Sequence, residues 1–146
     1  MIKIVKATEE HLAEILRIGN ELISPAWTYD FLLNELNKDD SLIMVASDNY
    51  LKGFVVMRQV GDDGEILQIA VDKTAQRSGI GDLLMDAALD HSRENKFNSI
   101  FLEVRDSNIA AVSLYKKHGF KAVRVRKDYY NDPVEDAIVM KKCSRL

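Results

Sequence analysis

The sequence predicts an α/β domain on one mixed α+β sheet, with about seven strands and four helices. Two observations carry that reading. Residues 41–71 hold three strand-forming runs separated by tight turns, which reads as an antiparallel meander. The third run leads into an amphipathic stretch at 80–95 and then into a further apolar run at 99–105, and such a strand, helix, strand crossover makes a parallel pair. A chain of 146 residues suits a single domain, 1–146, that buries roughly 70% of its unfolded surface.

Taken in order, residues 2–6 alternate apolar and polar side chains, as a short strand does. Thr8 offers an N-cap, and Leu12, Ile15, Leu16, Gly19, Leu22 and Ile23 trace a helical face to about residue 23, where Ser24 and Pro25 stop it. Thr28 caps a second short helix whose inward face holds Phe31, Leu32 and Leu36, and Pro25-Ala26-Trp27 reads as a staple that anchors it. Residues 41–47 and 50–60 are strands joined at Asp48-Asn49, and Gly61 to Gly64 is the next turn. The strand at 65–71 is broken by Asp72, Lys73 and Thr74. Asn98 ends the 80–95 helix, and Ser107 caps a helix over 108–118. Gly119 with Phe120 fits a glycine stop followed by its apolar contact. Residues 121–126 and 137–142 close the chain as two strands around an irregular loop, 127–136.

The composition, 47% hydrophobic and 29% charged, is that of a globular protein. A formal charge of −3 argues against a general nucleic-acid binder. No apolar run approaches the ~20 residues that span a bilayer. The opening MIKIVKATEE lacks the apolar stretch of a signal peptide, so the expected location is cytoplasmic. The single Cys143 forms no internal disulfide, and no His/Cys cluster has metal-ligand spacing, so no metal is expected.

The stretch from Ile66 to Leu89 holds the densest chemistry. After the strand come Gly79 and Gly81, then Ile80, Leu83, Leu84, Ala87 and Ala88 at helical spacing. Glycines at a helix N-terminus let the backbone approach a ligand, and the unpaired N–H groups there favour phosphate. A tight strand-to-helix turn that binds nothing reads the same way. No Gly-Lys-Ser or Gly-Lys-Thr follows, so this is not the NTPase loop, and Leu84 stands where a dinucleotide fingerprint needs Gly or Ala.

In the strand at 99–105, Phe101, Glu103 and Arg105 share one face. A strand in a parallel pair is normally covered on both sides, which makes an unpaired Glu103 costly. Two readings stand: an ion pair with Arg105 or another base, or a carboxylate of raised pKa placed to take a proton. Asn108 and Tyr115 lie seven positions apart, on one helical face and about 10 Å apart along the axis. The Tyr115 hydroxyl would suit a proton donor to a thiolate leaving group.

The hexad Gln76-Arg77-Ser78-Gly79-Ile80-Gly81 resembles the acetyl-CoA pyrophosphate loop of the GNAT N-acetyltransferases, Gln/Arg-x-x-Gly-x-Gly/Ala, and stands between a strand and a helix as that family requires. Leu102-Glu-Val-Arg-Asp-Ser-Asn108, Ala111 and Leu114-Tyr-Lys-Lys-His-Gly-Phe120 are similar to the RimI-type members, which acetylate the N-terminal alanine of a small-subunit ribosomal protein. Arg126-Lys-Asp-Tyr-Tyr130, Pro133 and Glu135-Asp-Ala-Ile-Val-Met140 resemble that group's closing hairpin. The likeness spans roughly residues 66–140 and is loose over 1–60.

The resemblance implies that Ile69, Ala70 and Val71 pair with the pantetheine arm of acetyl-CoA. Arg77, Ser78, Gly79, Ile80, Gly81 and Asp82 would hold its pyrophosphate through backbone N–H groups, and Asn108 would bond it near the thioester. Glu103 matches the family's proton acceptor and Tyr115 its proton donor. Asp82 departs from the basic or neutral residue that relatives often carry; with Asp86 and Asp90 it is expected on a solvent-facing stripe. The implied reaction is direct transfer from acetyl-CoA to a protein α-amine, without an acyl-enzyme. The expected partner is a ribosomal-protein N-terminus, without nucleic acid or membrane, the enzyme being a monomer or weak dimer. A lysine or small-molecule amine is the alternative acceptor, and a non-catalytic acyl-CoA sensor is the rival from another class.

Overall fold

The structure is a computed structural model that describes residues 1–22 and 26–143. Its strands are β1 (Lys3–Lys6), β2 (Ser41–Ser47), β3 (Leu51–Val60), β4 (Asp63–Val71), β5 (Ser99–Arg105), β6 (Lys121–Tyr130) and β7 (Glu135–Cys143). The helices are α1 (Leu12–Leu22), α2 (Tyr29–Leu36), α3 (Ile80–Glu94) and α4 (Ile109–Lys117). The strands form a seven-stranded sheet in the order β1-β2-β3-β4-β5-β7-β6. All neighbours run antiparallel except β4 and β5, the parallel pair that the crossover through α3 requires. The expected mixed α/β sheet with seven strands and four helices is the one observed.

Alternation along β3 builds a core on each side of the sheet. Phe54 and Val56 face α1 and α2, where they join Leu12, Ile15, Ile18 and Leu32. Val55 and Met57 face α3 and α4, joining Leu84, Met85, Ala88 and Phe120. Because both faces are covered, β3 reads as a nearly continuous apolar run rather than an alternating one. Gly53 in that run is a packing requirement: a Cβ there would stand 2.8 Å from the Ala70 carbonyl oxygen and 3.1 Å from Leu84 Cδ1.

Several boundaries differ from expectation for identifiable reasons. Thr8 opens a single 3-10 turn, Glu9–His11, before α1, and its backbone N–H donates to His11 Nδ1 at 2.9 Å. The stop at Ser24-Pro25 and the end of the helical face at Ile23 fall outside the described residues. Thr28 does cap α2, its Oγ1 accepting from Phe31 N at 3.1 Å. Asp48 makes the β2–β3 turn by accepting from the backbone of Asn49 and Tyr50. Gly64 belongs to β4 rather than to the preceding turn. The cap of α4 is Asn108, not Ser107, because Asn108 Oδ1 takes the Ala111 N–H at 3.2 Å while the Ser107 N–H goes to Glu135. The expected loop 127–136 is mostly strand: β6 runs on to Tyr130 and β7 starts at Glu135. Arg105 holds the tip of that hairpin, donating to the Asn131 and Pro133 carbonyls and pairing with Glu135.

Leu84 of α3 is wholly buried against the sheet. Leu84→Ala should lower the unfolding free energy by about 3 kcal/mol, read from urea denaturation; a loss under about 1 kcal/mol would mean that the α3 layer is not packed as described.

Candidate active site

The site is organised by a divergence in the sheet. β4 and β5 share only the pairs Gly64↔Ile100, Glu65↔Phe101 and Ile66↔Leu102. Beyond them β4 keeps its antiparallel partner β3 as far as Val71, and β5 keeps β7 as far as Arg105. The register between β3 and β4 jumps from Val56↔Gln68 to Met57↔Ile66, leaving Leu67 as an extra residue where the strands part. A bulge at that point bends β4 and sharpens its twist. A cleft opens between the strands, and its lining includes Ile69, Glu103, Asn108 and Tyr115.

At the C-terminal end of β4 the chain enters the glycine loop. Asp72 caps a short 3-10 turn, Lys73–Ala75, and is tied at 3.0 Å to Arg17 of α1. The hydrogen bond from Arg17 holds the Asp72 carboxyl below its ordinary value against the opposing effect of burial. Ser78 Oγ donates to the Ala75 carbonyl, which folds the loop on itself. Arg77 and Gly79 have φ values of 64° and 83°, and Gly79 is the N-cap of α3. Residues 76–79 are exposed, Ile80 is buried as an anchor, and a Cβ on Gly79 would meet nothing within 4 Å. The N–H groups of Ile80, Gly81 and Asp82 begin a fifteen-residue helix, so they have no intrahelical acceptor. The two glycines have different causes: Gly79 supplies positive φ in open space, whereas a Cβ on Gly81 would press to 3.3 Å from Leu114 of α4.

Asp82 does not lie on a solvent stripe. Its carboxylate meets Lys117 Nζ at 3.0 Å and His118 Nε2 at 2.7 Å, so its side chain joins α3 to the end of α4. The His118 contact, then that of Lys117, lowers the Asp82 pKa. Of the other two expected on that stripe, Asp90 is exposed beside Arg93 and Asp86 stands 3.7 Å from His118.

Glu103, Asn108 and Tyr115 come together on the cleft from three places in the chain. Asn108 spends Oδ1 on the α4 cap, and no described residue accepts a hydrogen bond from its amide nitrogen. Tyr115 is buried, 6.1 Å from the Phe120 ring, and burial raises its pKa above the ordinary tyrosine value. It therefore stays a protonated phenol throughout the neutral range. Glu103 is half-buried, contrary to the expectation of cover on both sides, because its side chain lines an open cleft. The ion pair with Arg105 does not form: Arg105 is held by Glu135 at 3.3 Å and lies 4.3 Å from the Tyr130 ring. Glu103 Oε2 stands 3.7 Å from Arg126 Nε.

A second cleft of about 570 Å³ shares Glu103 and lies between α2 and the β6–β7 hairpin. Trp27 and Phe31, with rings 5.0 Å apart, form one wall, and Tyr129 and Tyr130 the other. Burial, then the Glu103 charge, pushes the Tyr130 hydroxyl up to about 12 and raises that of Tyr129. Glu65 and Asp132 add acidic groups, and Arg58 on the floor is held at 3.1 Å by Glu35, a carboxylate 1% exposed. Sequence reasoning missed Glu35, Arg58 and Glu65, since their strand and helix patterns read simply as packing faces. Trp27, expected as a staple, both packs on Phe31 and borders this cleft.

The sequence model of the acetyltransferase (GNAT) family matches residues 7–120. The chain belongs to the GNAT acetyltransferase family. A Haemophilus influenzae relative named ribosomal protein bS18-alanine N-acetyltransferase is 33% identical over 117 residues, 78% of this chain and 80% of that one. A Bacillus subtilis protein provisionally given the same name is 32% identical over 133 residues, 90% of this chain and 88% of the other. The crystal structure of the Escherichia coli ribosomal-protein-S18-alanine N-acetyltransferase superposes with a TM-score of 0.91 at 28% identity, covering 100% of this chain and 96% of that one. As a GNAT, the chain is an acetyl-CoA-dependent N-acetyltransferase. The exposed loop, the unpaired α3 amides and the open edge of β4 fit a diphosphate and an extended amide-bearing arm.

The Arg17–Asp72 contact yields a pH-dependent test. A carboxyl whose folded pKa is depressed contributes stability above its unfolded value of about 3.9, and that contribution is lost as pH falls through the folded value. Asp72→Asn should melt about 3 °C below the wild type at pH 7, with the gap closing below pH ~4. Thermal scans between neutral and acid pH measure it, and a gap that persists unchanged in acid would show that Asp72 is not stabilised by its charge.

Proposed function

We propose that this GNAT transfers the acetyl group of acetyl-CoA to a protein N-terminal α-amine, that of the N-terminal alanine of ribosomal protein bS18. The observation that carries the reading is the convergence of Glu103, Asn108 and Tyr115 on one cleft at the mouth of the β4–β5 gap. The names of the relatives and the acidic lining of the adjoining cleft support the choice of acceptor. The chain works as a single domain, 1–146, in the cytoplasm, as a monomer or weak dimer that makes no direct contact with nucleic acid or membrane. One sheet carrying both core layers supports the single domain, the charge of −3 supports the absence of nucleic acid, and no helix among the described residues is long and apolar enough to cross a membrane.

Acetyl-CoA supplies an activated thioester, held by Ile69, Ala70 and Val71 along its arm and by the backbone of residues 77–82 at its pyrophosphate. Asn108 fixes the end nearer the reacting carbonyl through its free amide nitrogen. The acceptor enters as an ammonium from the cleft between Trp27 and Tyr130. An α-amine has a reference pKa of about 7.7–8.0 against roughly 10.4 for lysine, so it gives up its proton more readily. Glu103, directly or through water, takes that proton; the neutral amine attacks the carbonyl carbon, and a β4 backbone N–H polarises the oxygen. The carbon–sulfur bond breaks as the amide forms; Tyr115 O–H protonates the departing sulfur, and the second proton that the attacking nitrogen loses passes through water to the Tyr115 oxygen, which restores the phenol. Burial keeps the phenol proton on Tyr115 until the thiolate appears.

Tyr115→Phe should lower kcat about a hundred-fold while acetyl-CoA binding, measured by calorimetry, changes little. Unaltered turnover would remove the donor role. Incubation with acetyl-CoA and a panel of amines, read by mass spectrometry, tests the acceptor: transfer to an alanine-initiated peptide is expected, and a preference for lysine side chains or small amines would overturn the assignment.

A further inference from the structure

We propose that Arg126 is a positioning residue that holds the place beside Glu103 that the acceptor ammonium takes during turnover. The proposal rests on the acceptor reading above. Glu103 stands on the wall shared by three clefts: the gap toward acetyl-CoA, the acceptor cleft, and a groove over β5, β7 and β6. Arg126 comes from the side of that groove. In the sheet Glu103 pairs with Val139, and Arg126 with Ala137, so the arginine reaches Glu103 diagonally across β7.

Its contact is longer than the shortest ion pairs of the neighbouring arginines. Arg126 Nε stands 3.7 Å from Glu103 Oε2, beyond hydrogen-bond reach, and that buried oxygen accepts no hydrogen bond among the described residues. The guanidinium lies 5.5 Å from the Tyr129 ring, and the side chain is 43% exposed. Arg105, on the same face, is instead engaged by Glu135, by two backbone carbonyls and by the Tyr130 ring. Arg58, across the cleft, stands 3.1 Å from the buried Glu35, although Glu35 Oε1 and Arg58 Nε also lack a hydrogen bond among the described residues. The contact of Arg126 with Glu103 is thus electrostatic alone, and its stacking contact is with Tyr129. A carboxylate oxygen buried without a hydrogen bond is costly, and an ammonium can supply the bond that Arg126 does not. When the acceptor arrives, its N–H donates to Glu103 and the guanidinium withdraws over Tyr129 toward solvent. The exchange replaces one cation by another, so the carboxylate is never left without a counter-charge. Other groups close to Glu103 are Tyr129, Tyr130 and Arg124 on β6, and Glu65 on β4.

Steady-state kinetics with an alanine-initiated peptide, and inhibition by the same peptide carrying a hydroxyl in place of its α-amine, test this. Arg126→Gln should lower the acceptor KM about three- to ten-fold, as removal of one screened like charge predicts, while the inhibition constant of the uncharged analogue and the acetyl-CoA KM stay put. Arg126→Lys should restore the wild-type KM. A rise in acceptor KM, or equal tightening of both peptides, overturns the proposal while leaving the acceptor reading intact. A wild-type enzyme that acetylates no N-terminal peptide overturns both.

Discussion

β4 and β5 share three residue pairs and then part, each held on its far side by an antiparallel neighbour. In a sheet buried on both faces, a strand edge without a partner leaves N–H and C=O groups that must be satisfied by water or by something strand-like. Leu67 begins the separation by adding one residue to β4, and the two core layers hold the separated strands in place. The open edge therefore offers backbone hydrogen bonds to an extended arm. It also leaves a gap in the sheet, with α3 and α4 on one side and the cleft between α2 and the β6–β7 hairpin on the other. Chemistry at such a gap can be served from both faces at once.

Glu103 and Tyr115 reach this gap under opposite conditions. Tyr115 is part of the α4 core contact, near Phe120, and its phenol is dry. Glu103 points from β5 into an open cleft and meets solvent, Arg126 and two further phenols. In the proposed reaction these opposite environments suit opposite roles, since a group that must keep its proton gains from burial and a group that must receive one gains from access to the acceptor. The β6–β7 hairpin completes the arrangement, and Arg105 is its fastening: from β5 it grips Asn131, Pro133 and Glu135 and sets the Tyr130 ring at the cleft wall.

Much of this was legible in the residues because it is local. The run of 99–105, the glycine loop and the spacing of Asn108 and Tyr115 are sequence-adjacent features whose periods and breaks report their structure directly. What was not legible is long-range. Arg105 and Glu135 are thirty positions apart, and nothing in the pattern of 127–136 says that their contact holds the tip of a hairpin. The pairing of Glu103 with Arg105 looked natural because they share a face, yet Glu135 and Tyr130 claim the guanidinium first. Ser107 and Asn108 are both good caps, and only the Glu135 contact with the Ser107 backbone shows why the second is used. Glu35 and Arg58 join a helix to a strand, and neither element's period marks the contact.

The bridge from Asp82 to Lys117 and His118 changes what a carboxylate near a diphosphate means. Read along the chain, an acid in the first turn of α3 should repel the diphosphate proposed to bind there. In three dimensions it works as a tether: it draws the ammonium of Lys117 from the far end of another helix to the rim of the glycine loop, where its charge offsets that of the acid. The local field is then set by the pair, and an apparently unfavourable residue becomes the means by which two helices share one anion-facing end.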